Sequence, residues 1–354
     1  MDNYTSDSSD NESSNRIIDL AYLLRNPESV DRSLGEYFED DSKRYQEVEK
    51  IILHHNELNV LPKNLFRFTN IKVLDLSNNG LTELPDLFRY CQLTNLVLKN
   101  NRLTNGSLPK EFTECPSLRE LNFGGNHMTQ FPEQIFSFAN LRFLYLGGNG
   151  MRNISKDIWR LKQLQVFSLG GNDITEVPVS VGTLKYLQAL VLCDNQIEVL
   201  PANIANLHNL RSLLLHKNRL RTLPPEIIAL RNLNELSLRD NPLVVRFVSD
   251  ITYQPTSLLE LSARSLKLHN IKVEPGTIPK TLAFYLDTAH RCVNPHCKGV
   301  YFDNRVEHIK FVDFCGKYRI PLLQYLCSSK CASTPSEEIV RPHRTYLMKK
   351  VLLG

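Results

Sequence analysis

Two close cysteine pairs, Cys292-x4-Cys297 and Cys327-x3-Cys331, stand 29 residues apart and carry the chemistry most open to this sequence. Paired thiolates on two turns can set four sulfurs tetrahedrally about zinc, so Cys292, Cys297, Cys327 and Cys331 are the expected ligands of a structural site. Four thiolates close the coordination sphere, which argues against a catalytic zinc. Cys315, His290, His296 and His308 are alternative ligands, and buried reduced cysteines without metal are the rival reading. Cys315 could also act as a free nucleophile, but no general base stands at a recognisable spacing, so no enzyme is expected.

The elements around these cysteines follow from local pattern. Lys298-Gly299 suits a tight knuckle turn, and Val300-Tyr301-Phe302 with Ile309 to Val312 predicts a hairpin between the pairs. So small a module has little core, and metal binding would supply much of its folding energy. Upstream, Ser257-Leu258-Leu259-Glu260 has capping-box spacing and predicts a helix start. Along that helix Leu258, Leu261, Ser262, Ser265 and Leu268 fall near one face, with Leu266 beside them. After a break at Pro275-Gly276, Ile278 to Leu286 reads as a second helix entered through Pro279. Residues 332 to 341 read as a polar linker, and Tyr346 to Leu353 as a short helix or a frayed terminus.

Before all of this, one spacing recurs nine times: leucine-x-x-leucine-x-leucine-x-x-asparagine-x-leucine. Its frame opens at Val48, Ile71, Leu93, Leu118, Leu141, Leu164, Leu187, Leu210 and Leu233, in steps of 22 to 25 residues. This is the pattern of a leucine-rich-repeat solenoid, an α/β horseshoe whose coils are stable only when stacked. The asparagine column from Asn56 to Asn241 is unbroken because a buried amide can bond the backbone of adjacent coils. Each coil returns through a short convex-side helix or turn such as Leu223 to Leu230. Residues 1 to 15 are too polar to bury anything, and Ile17 to Leu24 predicts a short helix capping the first coil within an N-terminal cap of residues 16–47. The solenoid is expected over 48–250, the helical segment over 255–288 and the cysteine module over 289–332.

Strand side chains alternate, so the residues between the frame leucines face the hollow side. Glu120 and Asn122, Phe143 and Tyr145, Val166 and Ser168, Ala189 and Val191, then Ser212 and Leu214 make an apolar and aromatic track, with His216 at its margin. Exposed contiguous apolar surface marks a partner site, and the expected substrate-binding residues are Asn122, Phe143, Tyr145, Val166, Ser168, Val191, Leu214 and His216. Three Gly-Gly pairs, at 124–125, 147–148 and 170–171, predict a margin where another backbone can approach closely.

A net charge of +4, with no long block of either sign, argues against nucleic acid. No apolar run is long enough to span a membrane, and the acidic start lacks the basic region of a secretion signal. Three of the eight cysteines are scattered singly through the repeats, and no cysteine-rich cap flanks them directly. Reduced thiols, and hence the cytoplasm or nucleus, are expected.

The repeats resemble the intracellular leucine-rich repeats of about 23 residues that carry a Leu-Pro step. Thr256-Ser257-Leu258-x-x-x-Ser262-x-x-x-Leu266 is similar to the elongin-binding box of SOCS-box proteins, with Ser262 in place of the usual cysteine. Ile278-Pro279-x-x-Leu282-x-x-x-Leu286 resembles the cullin-selecting box of the same proteins. Gly276-Thr277 stands where the cullin-5 form has Leu-Pro, so the looser cullin-2 pattern fits better. This resemblance implies that Leu258, Leu261, Ser262 and Leu266 contact elongin C of the elongin B–elongin C pair. It further implies that Ile278, Pro279, Leu282 and Leu286 contact cullin-2 (or cullin-5) with its RING protein. The chain would then be a substrate-recognition subunit of a ubiquitin ligase whose chemistry lies in other subunits. The rival is a passive scaffold in which residues 256–286 only cap the repeats and Leu258 is buried. Ser257 to Leu261, Gly299 to Asp303, Ile309 to Ile320, Tyr325 to Ser328 and Lys350 to Gly354 resemble one leucine-rich-repeat family through to the last residue.

Overall fold

A computed structural model describes residues 16–39, 44–244, 256–271, 273–274, 276–313, 319–333 and 350–352. The chain forms two compact units: Met1–Arg219 with Glu226–Asn241 and Met348–Gly354, and Leu220–Pro225 with Pro242–Leu347.

The first unit is the expected solenoid. After β1 (Ile17–Asp19), each repeat supplies one three-residue strand: β2 (Lys50–Ile52), β3 (Val73–Asp75), β4 (Asn95–Val97), β5 (Glu120–Asn122), β6 (Phe143–Tyr145), β7 (Val166–Ser168), β8 (Ala189–Val191), β9 (Ser212–Leu214) and β10 (Glu235–Ser237). They pair in parallel, each with the next. Equal frame positions meet, so Phe143 lies beside Val166 and Tyr145 beside Ser168. The central residue of each strand is buried, while its neighbours on either side face outward and are mostly half-buried. That alternation is the period of two in a strand, repeated coil after coil.

The asparagine column does what its chemistry predicts. Asn172 donates from Nδ2 to the Leu146 carbonyl of the coil before (3.1 Å) and to Leu169 of its own coil (2.8 Å), and its Oδ1 accepts from Met151 N–H (3.1 Å). Asn195 repeats the arrangement one coil later. The residue before each asparagine has a left-handed backbone, from His55 through Asn78 to Gly148, Lys217 and Asp240. This turn lets its N–H reach the next coil, as Asn78 N–H does at Lys99 O and Gly148 N–H at Gly170 O, both 2.8 Å. The convex returns are 3-10 turns such as Lys156–Arg160 and Ala202–Asn206, each burying one aliphatic side chain, Ile158 and Ile204. Five residues are too few for a cooperative α-helix, and the tighter 3-10 turn fits the span.

Both ends of the sheet correct the sequence reading. Ile17 to Leu24 is not a helix: Ile17–Asp19 pairs with β2, and Asn56 bonds Leu20 O (2.8 Å) and Arg25 N–H (2.9 Å) as it would bond a preceding coil. The open edge of the first coil presents unpaired backbone groups, and an extended segment satisfies them where a helix could not. The helix comes later, as α1 (Pro27–Gly35), capped by Asn26 and entered through Pro27, with Val30 and Leu34 buried. At the other end, within the span expected to be a C-terminal helix, residues 350–352 are a strand that pairs in parallel with β10. The same edge argument applies there. The acidic tail (1–15), residues 245–255 and the polar linker from 334 lie outside the described residues.

The second unit holds α2 (Leu258–Leu268) and α3 (Lys280–Asp287), a ribbon of β11 (His290–Arg291) and β12 (Val300–Tyr301), a hairpin of β13 (Val306–Asp313) and β14 (Arg319–Leu326), and α4 (Lys330–Ser333). The last strand of the chain, in the first unit, is β15 (Lys350–Leu352). The expected hairpin between Val300–Phe302 and Ile309–Val312 does not form. Val300–Tyr301 pairs with His290–Arg291 instead, and Val306–Asp313 with Arg319–Leu326. Phe302 and Asn304 give their N–H groups to Glu260 of α2, so the chain there is committed to a helix and not to a hairpin turn. The core of this unit is Ala263, Leu286 and Phe302, with Leu266, Val273, Ile278, Tyr285, Ala289 and Val300 packed against it.

Candidate metal centre and docking surfaces

The two cysteine pairs meet. The sulfurs of Cys292, Cys297, Cys327 and Cys331 lie within 4.8 Å of one another, with Cys297–Cys327 at 3.5 Å and Cys327–Cys331 at 3.7 Å. A tetrahedron with zinc–sulfur bonds of ~2.3 Å has edges of ~3.8 Å, so the spacing fits a closed four-thiolate site. These distances are far beyond the ~2.05 Å of a disulfide. Gly299 fits the knuckle by necessity: a Cβ there would stand 2.7 Å from Cys327 Sγ and 3.1 Å from Cys297 Sγ. Its N–H points at Cys297 Sγ at 3.2 Å, the donor a thiolate ligand needs. Asn294 ties the knuckles together, its Nδ2 donating to Cys331 O at 2.9 Å.

Burial pushes the Cys297 and Cys327 thiols up, toward the neutral form. Burial acts the same way on Cys331, but the Ser328 hydroxyl and the neighbouring thiols outweigh it and hold Cys331 below the ordinary range. A divalent cation would reverse this balance by binding thiolates directly. Among the described residues these four cysteines form the metal-capable group. The alternative His290 is exposed and stacked on Tyr301, His296 is exposed, and His308 sits in β13. Cys315 lies outside the described residues.

The sequence reading missed the pair that joins this centre to α2. Glu260 is 2% exposed, and its carboxylate accepts from Phe302 N–H (3.1 Å) and Asn304 N–H (2.9 Å). Arg264 bonds Glu260 through Nε (3.0 Å) and Nη2 (2.5 Å), donates from Nη2 to Asn304 O, and from Nη1 to the carbonyl of Cys327 (2.8 Å). The i,i+4 Glu-to-Arg spacing was the available signal. It reads as an ordinary surface pair until the tertiary fold buries it.

With Glu260 and Ala263 turned inward, the opposite face of α2 meets solvent. Leu258 is 82% exposed, Leu261 49%, and Ser262, Ser265 and Leu268 are exposed too. The predicted face is real, and within the second unit it is the outer one. The second box divides differently: Pro279 is exposed and Leu282 half-buried, while Leu286 is buried and Ile278 and Leu266 pack against it. Those last three are held by the core of the module. Phe284, 74% exposed on α3, was not singled out from the sequence.

On the hollow side of the solenoid, Phe143, Tyr145, Val166, Ser168, Val191 and Leu214 occupy successive strands in register and are half-buried. Burial, with the Glu120 carboxylate nearby, raises the Tyr145 hydroxyl above its ordinary range, so it stays a neutral donor. Asn122 Oδ1 accepts from Gly124 N–H (2.9 Å), and the His216 ring meets Ser237 Oγ at 3.1 Å. The glycine margin is crowded by the chain itself. A Cβ on Gly147 would stand 2.8 Å from Gly170 O, and one on Gly170 2.8 Å from Cys193 Sγ. Within the chain, the close neighbour at each of these glycines is the next coil, backbone at Gly147 and the Cys193 side chain at Gly170.

A leucine-rich-repeat family model matches residues 46–103, 91–151, 162–220 and 185–243. The chain is 60% identical over 324 residues to leucine-rich repeat-containing protein 58 of Xenopus laevis, covering 89% of this chain and 92% of that one. To the protein of the same name in Homo sapiens it is 66% identical over 285 residues, 79% and 77% of the two chains. Among solved structures, a leucine-rich-repeat protein of Leptospira interrogans superposes with a TM-score of 0.52 at 33% identity, over 57% of each chain. None of the described helices is long and apolar enough to cross a membrane.

Proposed function

Because the chain belongs to the leucine-rich-repeat family, and within it to the family of leucine-rich repeat-containing protein 58, we propose that it is the substrate-recognition subunit of a cullin-RING ubiquitin ligase. Repeat arrays of this kind serve protein–protein interaction, and the hollow face would hold the protein to be modified. The observation that carries the ligase reading is Leu258, exposed at the first turn of α2 beside Leu261 and Ser262. A helix that buries a charged pair and exposes its leucines is built to lay those leucines in another protein's groove. The docking set is therefore Leu258, Leu261 and Ser262 for elongin C, with Pro279 and Leu282 toward cullin-2 or cullin-5. Leu266, Ile278 and Leu286 shape the helices from within.

On the solenoid, the track from Phe143 to Leu214 crosses four strands, about 14 Å at ~4.8 Å per strand. That spans about four residues of extended peptide at ~3.3 Å each, with Tyr145 available to donate a hydrogen bond. The four-cysteine group would hold zinc as a structural ion. Zinc supplies folding free energy there and no chemistry, since no coordination position stays open. Free thiols and an intracellular ligase both call for the cytoplasm, or the nucleus.

The test is co-purification with elongin B, elongin C and a cullin, comparing the chain with Leu258→Ala combined with Ser262→Asp. Loss of an exposed anchor commonly costs about 2 kcal/mol or more of binding, so elongin should be lost while the melting temperature stays unchanged. Retention of elongin by the double variant, or no elongin with the unaltered chain, would refute the reading.

A further inference from the structure

We infer that the four-cysteine centre is the positioning base of the docking helix, so that metal occupancy controls whether α2 presents its leucines. The inference rests on the reading of α2 as the docking helix. It arises from how few supports α2 has. Its buried residues are Glu260 and Ala263 alone. An isolated helix of 11 residues is marginal in water, so α2 must borrow its order from what it packs on.

Ala263 packs on Leu286 and Phe302, and the polar supports of α2 lead back to the cysteines within a few bonds. Glu260 is held by the N–H groups of Phe302 and Asn304. Those residues follow the strand Val300–Tyr301, which starts directly after Gly299. Gly299 in turn fits against the sulfurs of Cys297 and Cys327, and its carbonyl accepts from Cys292 N–H at 2.9 Å. The second path is shorter: Arg264 Nη1 donates to the carbonyl of Cys327 itself, at 2.8 Å. The side chain that neutralises Glu260 is therefore fastened to a ligand residue. When a divalent ion leaves, the four bonds to sulfur that fix the spacing of the two knuckles go with it, and hydrogen bonds such as that of Asn294 Nδ2 to Cys331 O are left to hold them. Gly299 and Cys327 are then free to separate, and the carboxylate and guanidinium of α2 lose their backbone partners. A buried ion pair stripped of its hydrogen bonds is unfavourable, and the helix that carries it frays. The exposed leucines, presented on nothing, would no longer form a face.

The experiment uses the full chain, as isolated and after treatment with a zinc chelator, with three readouts: zinc content, hydrogen exchange of residues 258–268, and binding to the purified elongin B–elongin C pair. Removing zinc should speed exchange in 258–268 at least tenfold and abolish elongin binding. Returning zinc should restore both. Arg264→Met separates the link from the ligands: it should retain zinc, yet show faster exchange in α2 and weaker elongin binding. Protein without zinc, or exchange in 258–268 that is indifferent to zinc, overturns the inference. Should zinc-dependent exchange be found while elongin never binds, the coupling stands and the ligase reading alone falls.

Discussion

At the scale of single residues, the asparagine column and the glycine margin make opposite demands on side-chain chemistry. Asn172 serves two carbonyls and one N–H in two coils, and all of these are shielded from water. Asn172→Leu fills the volume but leaves those groups unsatisfied, at about 1–3 kcal/mol for each. A loss of about 3 kcal/mol or more, read from urea unfolding, is expected. Gly147 makes the contrary demand, because a methyl group there collides with the Gly170 carbonyl at 2.8 Å. Gly147→Ala should lower the melting temperature of the solenoid, since one coil must shift against the next. If stability is unaffected and only partner binding suffers, the margin serves a partner after all.

The elements show why one helix can be both firmly held and available. α2 buries Glu260 and pairs it with the half-buried Arg264, the two side chains bonding each other and four backbone groups, and this leaves its leucine side outward. Glu260→Gln preserves size while removing the charge that balances Arg264. Breaking a buried pair from one side costs about 3–5 kcal/mol. The expected outcome is an earlier unfolding step for the second unit, seen by calorimetry, with the solenoid transition unmoved. Leu258→Ala should do the reverse, altering docking and not stability. The pair of variants distinguishes the two faces of a single helix. The 3-10 turns of the solenoid follow the same logic, since turns such as Lys156–Arg160 and Ala202–Asn206 are too short to stand alone and are held by the one aliphatic side chain each buries.

At the scale of the whole molecule, the proposed function assigns a different partner to each of the two units. The solenoid offers a row of half-buried apolar side chains on a rigid sheet, and the second unit offers leucines on a helix braced by a cysteine centre. Phe143→Glu with Tyr145→Lys should abolish capture of the substrate protein while elongin binding persists. Both side chains point away from the coil interior, so circular dichroism of the variant should match that of the unaltered chain. Capture that survives this change would move the substrate site off the middle coils.

The sequence by itself determined the solenoid, because a nine-fold spacing has one stable solution: leucines inward, asparagines on the backbone, and outward positions in register. It also determined the start of α2 at Ser257 and the four candidate ligands, since capping geometry and thiol pairing are local. It misjudged Ile17–Asp19 and residues 350–352, where an apolar run reads equally as helix or strand and the open edge of a neighbouring coil decides. It also misjudged the partner of Val300–Tyr301, because strand pairing depends on where Glu260 draws the chain. Only the tertiary structure settled which face of α2 meets solvent. Leucines on one side of a helix suit a core as well as a groove, and the choice was made by Glu260 and Arg264, whose burial requires the backbone groups of residues more than forty positions away.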